Sequence, residues 1–393
     1  MYLSRQGIAW SEPWRLICPC PHLSLLGGEM TTFIIRRLIQ SVILLFFVSV
    51  LLYIILNIVP GGPFDMLKLS NPRLGQSHID RLNALLDLDK PLLPGQYCPK
   101  VSGVQQPCRF DQGRYIRWLG RVLRGDLGQS WTIKPGTAVV ELILQRLGYT
   151  VLLMGLSTLL AILLAVPIGI FSAVRQYSVA DYGVTVLAFF GQSMPTFWTG
   201  LMAIAIFSVA LGWFPTGGVR ISGAEGDIVE ALGRIFTLGR AYPELAGKEL
   251  ASIMDGLRHM ALPTLVLTYF NMAGWVRYTR TSMLEVLRQD YMRTARAKGL
   301  RERIVILKHG LRNALSPLIT ILALSIPGLF GGAIITETIF SWPGMGRMQI
   351  DAIAGVDWPV VQGCLVIEAF LLIFANLFAD VMYAVVDPRI QYS

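Results

Sequence analysis

The sequence carries little charge for its length. Charged residues make up 15% of its 393 residues, whereas a soluble domain normally carries about 25%. Hydrophobic residues account for 53%, and the mean hydropathy is +0.55. This balance excludes an ordinary soluble domain and predicts a membrane protein that crosses the bilayer several times.

Cysteine is scarce, and its five positions form no Cys-x-x-Cys motif. Cys98 and Cys108 flank a short segment containing proline, glycine and glutamine, which the topology below places outside the cell. A local disulfide is expected there because that compartment permits oxidation, and two free thiols are the alternative. Cys364 lies in an apolar run and is predicted to be a small packing residue. Cys18 and Cys20 lie near the N-terminus.

Residue patterns for catalysis or metal binding are missing. No Gly-x-x-x-x-Gly-Lys-Ser/Thr motif for nucleotide binding occurs. The four histidines are His22, His78, His259 and His309, and no two of them have the spacing of a catalytic or metal-binding pair. The carboxylates within apolar segments, Glu337 and Glu368, are too few for a proton relay. We therefore expect no catalytic residue, cofactor or metal. The net charge of +9 follows from membrane topology, so nucleic acid is not expected as a partner.

Long apolar runs predict six membrane-spanning helices. They cover residues 33–59, 150–174, 183–211, 259–276, 315–339 and 360–386. Each is near the length of about 20 residues that a bilayer needs, with the fourth marginal. Arg36 and Arg37 place the start of the first span in the cytoplasm, and six crossings return the C-terminus to that side. Glycine and proline interrupt the third span at Gly191 and Pro195.

The predicted spans divide the chain into four parts. Residues 1–29 are expected to be an N-terminal extension without function, in which Gly27 and Gly28 are not helical, with the natural start at Met30. Residues 30–59 hold the first helix, and residues 60–148 form a small extracytoplasmic segment. Residues 149–393 hold the other five helices, and within them residues 284–314 form a basic cytoplasmic loop.

The basic loop has helical periodicity. The sequence predicts a helix that ends with a left-handed cap at Gly299, followed by a second helix. One face of the second helix would carry the apolar residues Leu300, Ile304, Leu307 and Leu311, with Arg301, Lys308 and Arg312 about a quarter-turn away. Two short helices at a membrane surface are typical of a docking element for a soluble partner. An ordinary positively charged loop with amphipathic character explains the pattern equally well.

These residues support a resemblance to a known family. Tyr291-Met-Arg-Thr-Ala-Arg-Ala-Lys-Gly299, followed by Leu307-Lys-His-Gly-Leu-Arg-Asn-Ala314 and Pro317, resembles the cytoplasmic loop of binding-protein-dependent ABC importer permeases. Arg293 and Thr294 replace the Glu and first Ala of the general motif, as in the dipeptide/oligopeptide/nickel subgroup. Further segments agree in order: Gly125–Ser130, Ser193–Trp198, His259–Pro263, Glu337–Arg347, Asp357–Pro359 and Asp387–Arg389. The segment before the second span resembles the first permease type. The outer segment around Cys98 and Cys108 is longer than usual, and Gly62 stands where the subgroup often has Asp.

The resemblance implies an all-α permease of the type I importer kind, located in a bacterial or archaeal inner membrane with both termini cytoplasmic. Its implied partners are a second permease, two cytoplasmic ATPases, an extracytoplasmic solute-binding protein and membrane lipid. The ATPase-coupling residues would be Arg293, Thr294, Ala295, Arg296, Ala297, Lys298, Gly299, Leu300, Ile304 and Leu307. The subgroup transports peptides, nickel chelates, glutathione-like molecules and some oligosaccharides, and the sequence does not select among them. The alternatives are a secondary transporter driven by an ion gradient, for which no inverted repeat is visible, and a membrane enzyme.

Overall fold

The architecture comes from a computed structural model of the chain. It describes residues 22–58, 90–92, 94–98, 100–101, 104–105, 108–219, 245–329 and 333–386. The predictions that concern residues 1–21, most of the segment after the first helix, and the Asp387-Pro-Arg389 motif lie outside the described residues.

Helices make up most of the described chain. In order they are α1 (His22–Ile58), α2 (Arg114–Val122), α3 (Val139–Val174), α4 (Val179–Ser193), α5 (Thr196–Ala203), α6 (Leu245–Leu287), α7 (Asp290–Ala297), α8 (Glu302–Ile304), α9 (Arg312–Ser325), α10 (Ile334–Ile339), α11 (Met345–Ala354) and α12 (Trp358–Val386). Three further segments are π- or 3₁₀-helical, namely Ile204–Ala210 after α5, Val305–Leu311 after α8 and Ile326–Leu329 after α9.

Among the described residues between α1 and α2 are four short strands. They are β1 (Gly95–Tyr97), β2 (Lys100–Val101), β3 (Val104–Gln105) and β4 (Arg109–Asp111). β1 pairs antiparallel with β4, with Gln96 opposite Phe110, and β2 pairs antiparallel with β3. A disulfide joins Cys98 to Cys108 within this hairpin. The predicted outer segment therefore contains small sheets on an otherwise helical framework.

The first helix is longer than predicted. The sequence predicts a first span that begins at residue 33, with Gly27 and Gly28 outside any helix. α1 instead runs from His22 through both glycines, so that prediction was wrong. A glycine costs a helix only about 1 kcal/mol relative to alanine, and a helix that is already formed gains a hydrogen bond with each added residue. The apolar stretch within α1, Ile34–Leu56, agrees with the predicted span.

α3 and α6 form a parallel pair at the centre of the molecule. Tyr149 and Leu153 near the start of α3 pack against Met260 and Leu267 in the middle of α6. Near the end of each helix, Ala173 packs against Met283. A side chain at Gly169 would place its Cβ 2.6 Å from the Cβ of Thr279, so only glycine allows this close approach.

The length of α3 separates two ends of the molecule. Its 36 residues extend about 54 Å at 1.5 Å per residue. Where α3 begins, it lies near the segment 125–136 and the start of α12. We call this the disulfide end, because the Cys98–Cys108 hairpin lies there. Where α3 ends, α6 leads into α7 and α8, and we call this the basic end.

The third predicted span is sharply bent. α4 and α5 meet at Met194 and Pro195 and differ in direction by 104°. Pro195 precedes α5 as its N-cap, where its missing N–H costs the helix nothing. The interruption predicted at Pro195 is therefore a break between two helices.

Length and composition identify fewer spans than predicted. Within the described residues, three helices are long and apolar enough to cross a membrane: Ile34–Leu56, Val139–Val174 and Trp358–Val381. The bent α4–α5 pair gives a fourth if it counts as one crossing. α6 is long enough, but its apolar part is less hydrophobic than those of the three helices above, and α9 is only 14 residues long. A helical membrane protein is confirmed, and the count of six crossings stays a prediction.

Candidate partner-docking surface and its structural support

A tight glycine turn joins α7 to α8, as the sequence predicts. Gly299 has a φ of 74°, in the left-handed region that costs other residues about 1 kcal/mol or more. Its N–H donates to the carbonyl oxygen of Arg296 at 2.9 Å, which closes the end of α7. Across the turn, Arg296 forms an ion pair with Glu302 at 3.0 Å. The turn fixes the angle between the two helices.

The inner face of the α7–α8 pair is packed onto the end of α6. Met292, Ala295 and Val305 form a buried cluster. Val286 and Leu287 at the end of α6 pack against this cluster. Because these side chains interlock, a displacement of the pair must displace the end of α6 with it.

The outer face of the pair carries apolar and basic side chains. Of the predicted coupling residues, only Ala295 is buried, and the other nine are exposed. Leu307 keeps 56% of its surface exposed, and Ile304 and Leu300 are also exposed. We call the set Tyr291, Arg293, Leu300, Ile304 and Leu307 the docking surface.

The predicted apolar stripe is only partly correct. Leu300 lies in the turn before α8, and Val305–Leu311 forms a π-helix, so a spacing of 3.6 residues per turn is not kept. Leu311 is only half-exposed, whereas Val305, which was not in the stripe, is fully buried. The sequence therefore identified most of the exposed residues but not the one that anchors the π-helix.

A buried ion pair supports the basic end. Asp181, in the first turn of α4, accepts hydrogen bonds from the guanidinium of Arg280 in α6, from the Ser172 hydroxyl in α3 and from the backbone N–H of Tyr177. These contacts join the ends of three helices close to the α7–α8 pair. Neither Asp181 nor Arg280 is among the residues predicted from the sequence. The available signal was an arginine in a largely apolar helix, because such a charge needs an anionic partner, but Arg277 in the same helix gives the same signal.

A second buried carboxylate organises the disulfide end. Glu337 is completely buried. Its carboxylate accepts hydrogen bonds from the Thr150 hydroxyl at 2.8 Å and from the backbone N–H of Arg347 at 3.1 Å. The segment 340–347 thus wraps around Glu337, and Trp342 donates from Nε1 to the carbonyl oxygen of Tyr149 at 3.0 Å. This arrangement gives Glu337 a role in holding that segment.

A third buried carboxylate, Asp357, joins two of the motif segments. Its Oδ2 accepts from the Ser130 hydroxyl at 2.6 Å and from the backbone N–H groups of Trp131, Thr132 and Ile133 at 3.0, 2.9 and 3.2 Å. Burial alone would raise the pKa of Asp357, but these hydrogen bonds outweigh it and lower the pKa below its ordinary value. Asp357 therefore fixes the loop before α3 to the start of α12.

Glu368 is the other carboxylate predicted from the sequence, and its hydrogen bond is to a residue outside the contacts described for Glu337 and Asp357. Gln349 in α11 donates to it from Nε2 at 3.5 Å. In the part of the chain that the structure describes, no group of three or more histidine, cysteine or acidic side chains could hold a metal ion. What the described residues offer is a surface for a partner, supported by buried polar contacts at both ends of the bundle.

A helical membrane protein with a rigidly held, exposed helix pair at one end is typical of a transport subunit that works with soluble partners. The comparisons identify the family. The model for the binding-protein-dependent transport system inner membrane component matches residues 165–392, and the model for the N-terminal part of such membrane components matches residues 30–154. The chain belongs to this family, which confirms the resemblance and favours an ATP-driven permease over a secondary transporter or an enzyme.

Named relatives match along nearly their whole length. The chain is 41% identical over 363 residues to the oligopeptide transport system permease protein AppB of Bacillus subtilis, covering 92% of this chain and all of the relative. It is 37% identical over 373 residues to the di/tripeptide transport system permease protein DppB of Pseudomonas aeruginosa, and 36% identical over 365 residues to the dipeptide transport system permease protein DppB of Escherichia coli. In both cases the match covers 93% of this chain and all of the relative.

Proposed function

We propose that this chain is a permease subunit of an ATP-driven importer and carries peptides or a related small solute. The solute class rests on the relatives, whose names refer to oligopeptides, di/tripeptides and dipeptides. An extracytoplasmic binding protein delivers the solute, and a second permease completes the pathway. Two cytoplasmic ATPases supply the energy.

The docking surface is the proposed contact with an ATPase. Leu307 and Ile304 expose apolar area at a place where the neighbouring side chains are basic. Amphipathic helices of this kind bind by laying their apolar residues into a groove of the partner. The arginines on the same surface would add electrostatic steering toward an acidic rim.

The packing beneath the surface supports transmission of movement. ATP-driven closure of the ATPases would push the α7–α8 pair, and the pair is interlocked with α6 through Met292 and Val305. α6 is packed along α3 for most of its length. The bundle would therefore move as rigid bodies between inward-open and outward-open states, without a catalytic residue of its own.

The proposed orientation places the basic end in the cytoplasm. Arg36 and Arg37, near the start of the apolar stretch of α1, and the basic residues of α7 and α8 all belong to that end. An excess of Lys and Arg is typical of cytoplasmic loops in membrane proteins. Both termini would then be cytoplasmic, and the Cys98–Cys108 hairpin would face the binding protein.

A double serine variant of the docking surface tests this function. Ile304→Ser with Leu307→Ser removes two exposed apolar contacts, and we expect at least about a tenfold loss of ATPase co-purification, as for interface residues that each contribute 1–2 kcal/mol. Uptake of a labelled dipeptide or oligopeptide should fall in parallel. The matched control is Val179→Ser, which removes a side chain that is 91% exposed at the same end but outside the docking surface.

Two results would contradict the proposal. If the double variant retains the ATPase subunits as well as the Val179→Ser control does, the docking surface is not the contact. If assembly is lost but no peptide is taken up even by the unchanged complex, the docking role stands and the solute class is wrong.

A further inference from the structure

Helix α2 contacts α1 and α12 within the apolar stretches that are long enough to cross a membrane. The hydroxyl of Tyr115 forms a hydrogen bond with the Ser49 hydroxyl of α1, with the oxygens 2.9 Å apart. Ser49 is seven residues before the end of the apolar stretch Ile34–Leu56, which corresponds to about 10 Å along a helix. The partner of Tyr115 is therefore well inside a candidate span.

The aromatic packing around Tyr115 also places α2 beside the apolar stretches of α1 and α12. Its ring lies 5.5 Å from that of Tyr53 in α1, and the ring of Trp118 lies 5.0 Å from the ring of Tyr53. Val366 also packs against this cluster. It lies eight residues into the apolar stretch Trp358–Val381 of α12. Two neighbouring spans thus place α2 below the level at which α12 begins.

One flank of α2 exposes apolar side chains at this depth. Ile116 is 44% exposed, and Leu123, which caps the helix, is 78% exposed. They are seven residues apart and therefore lie on the same side of the helix. An exposed apolar flank is unfavourable in water but is stable where it enters the acyl region of a bilayer.

The other flank carries a row of arginines. Arg114, Arg117 and Arg121 are spaced by three or four residues, which places them along one side of α2, and Arg124 follows in the turn just after the helix ends. Arg117 forms an ion pair with Asp111, with Nη2 2.9 Å from Oδ1. Arg121 and Arg124 are exposed. A cation near a bilayer surface is stabilised by lipid phosphates, which lie at the level of the interface.

We propose that α2 is an interfacial helix that binds the phosphate groups of membrane lipids. Ile116 and Leu123 enter the acyl region of the leaflet at the disulfide end, and Arg121 and Arg124 contact the lipid headgroups. Tyr115 and Trp118 fix the helix to α1, so the lipid contact holds the hairpin that carries the disulfide close to the membrane surface. This lipid site is independent of the peptide-import function proposed above.

The depth of Leu123 provides the first test. A spin label at Leu123→Cys, with Cys18→Ser and Cys20→Ser to limit labelling, is measured in nanodiscs of phosphatidylcholine and phosphatidylglycerol. We expect collisions with oxygen to exceed those with a water-soluble nickel chelate. A label at Lys134→Cys, in the exposed loop beside the start of α12, should show the opposite. Equal, water-like accessibility at both positions would overturn the proposal and indicate a soluble protein as the partner.

The arginines provide the second test. Native mass spectrometry counts the phosphatidylglycerol molecules that the purified permease retains. Arg121→Gln with Arg124→Gln should weaken retention by about tenfold, whereas Lys134→Gln should leave it unchanged. Free inorganic phosphate should not displace the lipid if the acyl chains contribute. Equal retention by the arginine and lysine variants, in samples that remain monodisperse, would refute the headgroup contact.

Discussion

The guanidinium group of Arg280 forms two hydrogen bonds with the carboxylate of Asp181, from Nε to Oδ1 at 2.8 Å and from Nη2 to Oδ2 at 2.9 Å. Two parallel hydrogen bonds of this kind fix the relative orientation of the two side chains and also strengthen the ion pair. It joins α6 to the first turn of α4, seven residues before the end of α6, on which the α7–α8 pair packs. A push on the docking surface that moves α6 must therefore move α4 as well.

Loss of the Arg280 charge should destabilise the protein. In Arg280→Gln the Asp181 carboxylate stays buried without its cation, and we expect a loss of about 3 kcal/mol. This is the lower end of the range for broken buried pairs, because the Arg280 side chain retains 27% exposure. The apparent unfolding temperature of the purified protein measures the effect. The control is Arg277→Gln, three residues earlier in α6 and exposed, and an equal shift in both variants would contradict the prediction.

Among substitutions of Gly299, a residue that tolerates a left-handed backbone conformation should destabilise the protein least. No heavy atom lies within 4 Å of a Cβ built at Gly299, so the cost of substitution comes from its φ of 74° alone. Gly299→Val should therefore lose about 1–2 kcal/mol and some ATPase co-purification, whereas Gly299→Asn should lose less. Comparison of unfolding temperature and ATPase retention between the two variants checks this. Equal behaviour would show that the turn does not fix the angle of the pair.

The sequence predicted the local features of the site better than its long-range contacts. Gly299 follows a basic amphipathic segment, and this local pattern was enough to predict the turn. The ion pair between Asp181 and Arg280 joins residues 99 positions apart, and no local pattern reveals which arginine pairs with which aspartate. The π-helix that buries Val305 also depends on packing against α6. The hydrophobic periodicity of the sequence gives no information about that packing.

The stabilising effect of Asp357 should depend on pH. Its pKa is lowered in the folded protein, so its contribution is fully present above the ordinary aspartate pKa of about 3.9 and is lost as the pH falls through the lowered value. Asp357→Asn removes the charge at every pH. We expect the unfolding temperature of the variant to lie well below that of the unchanged protein at pH 7, with a gap that narrows only below about pH 4. A gap that closes between pH 7 and pH 5 would contradict this assignment.

Gly344 should be required for the close packing of the chain around the Glu337 carboxylate. A Cβ at this position would meet the Glu337 carboxylate directly. Gly344→Ala should therefore displace Glu337 from the Thr150 hydroxyl and destabilise the protein by more than about 1 kcal/mol, because a buried carboxylate loses its donors. Gly155→Ala in α3 is the matched control, since no atom lies within 4 Å of its Cβ. We expect that variant to be neutral or slightly stabilised, and thermal unfolding of the two side by side decides the outcome.

The Cys98–Cys108 disulfide should stabilise the hairpin and report which side of the membrane it faces. The two cysteines are 10 residues apart, and closing a loop of this length contributes about 2–3 kcal/mol in the chain-entropy model. Cys98→Ser with Cys108→Ser should thus lower the stability of the hairpin, while reductant should have no effect on that variant. In intact cells, with Cys18→Ser and Cys20→Ser, a membrane-impermeant maleimide should label the protein only after treatment with an impermeant reductant. Cys364 is buried and should remain unlabelled throughout. Labelling without reductant would exclude the bridge in cells, and labelling only after lysis would place the hairpin in the cytoplasm and reverse the orientation on which the proposed ATPase contact depends.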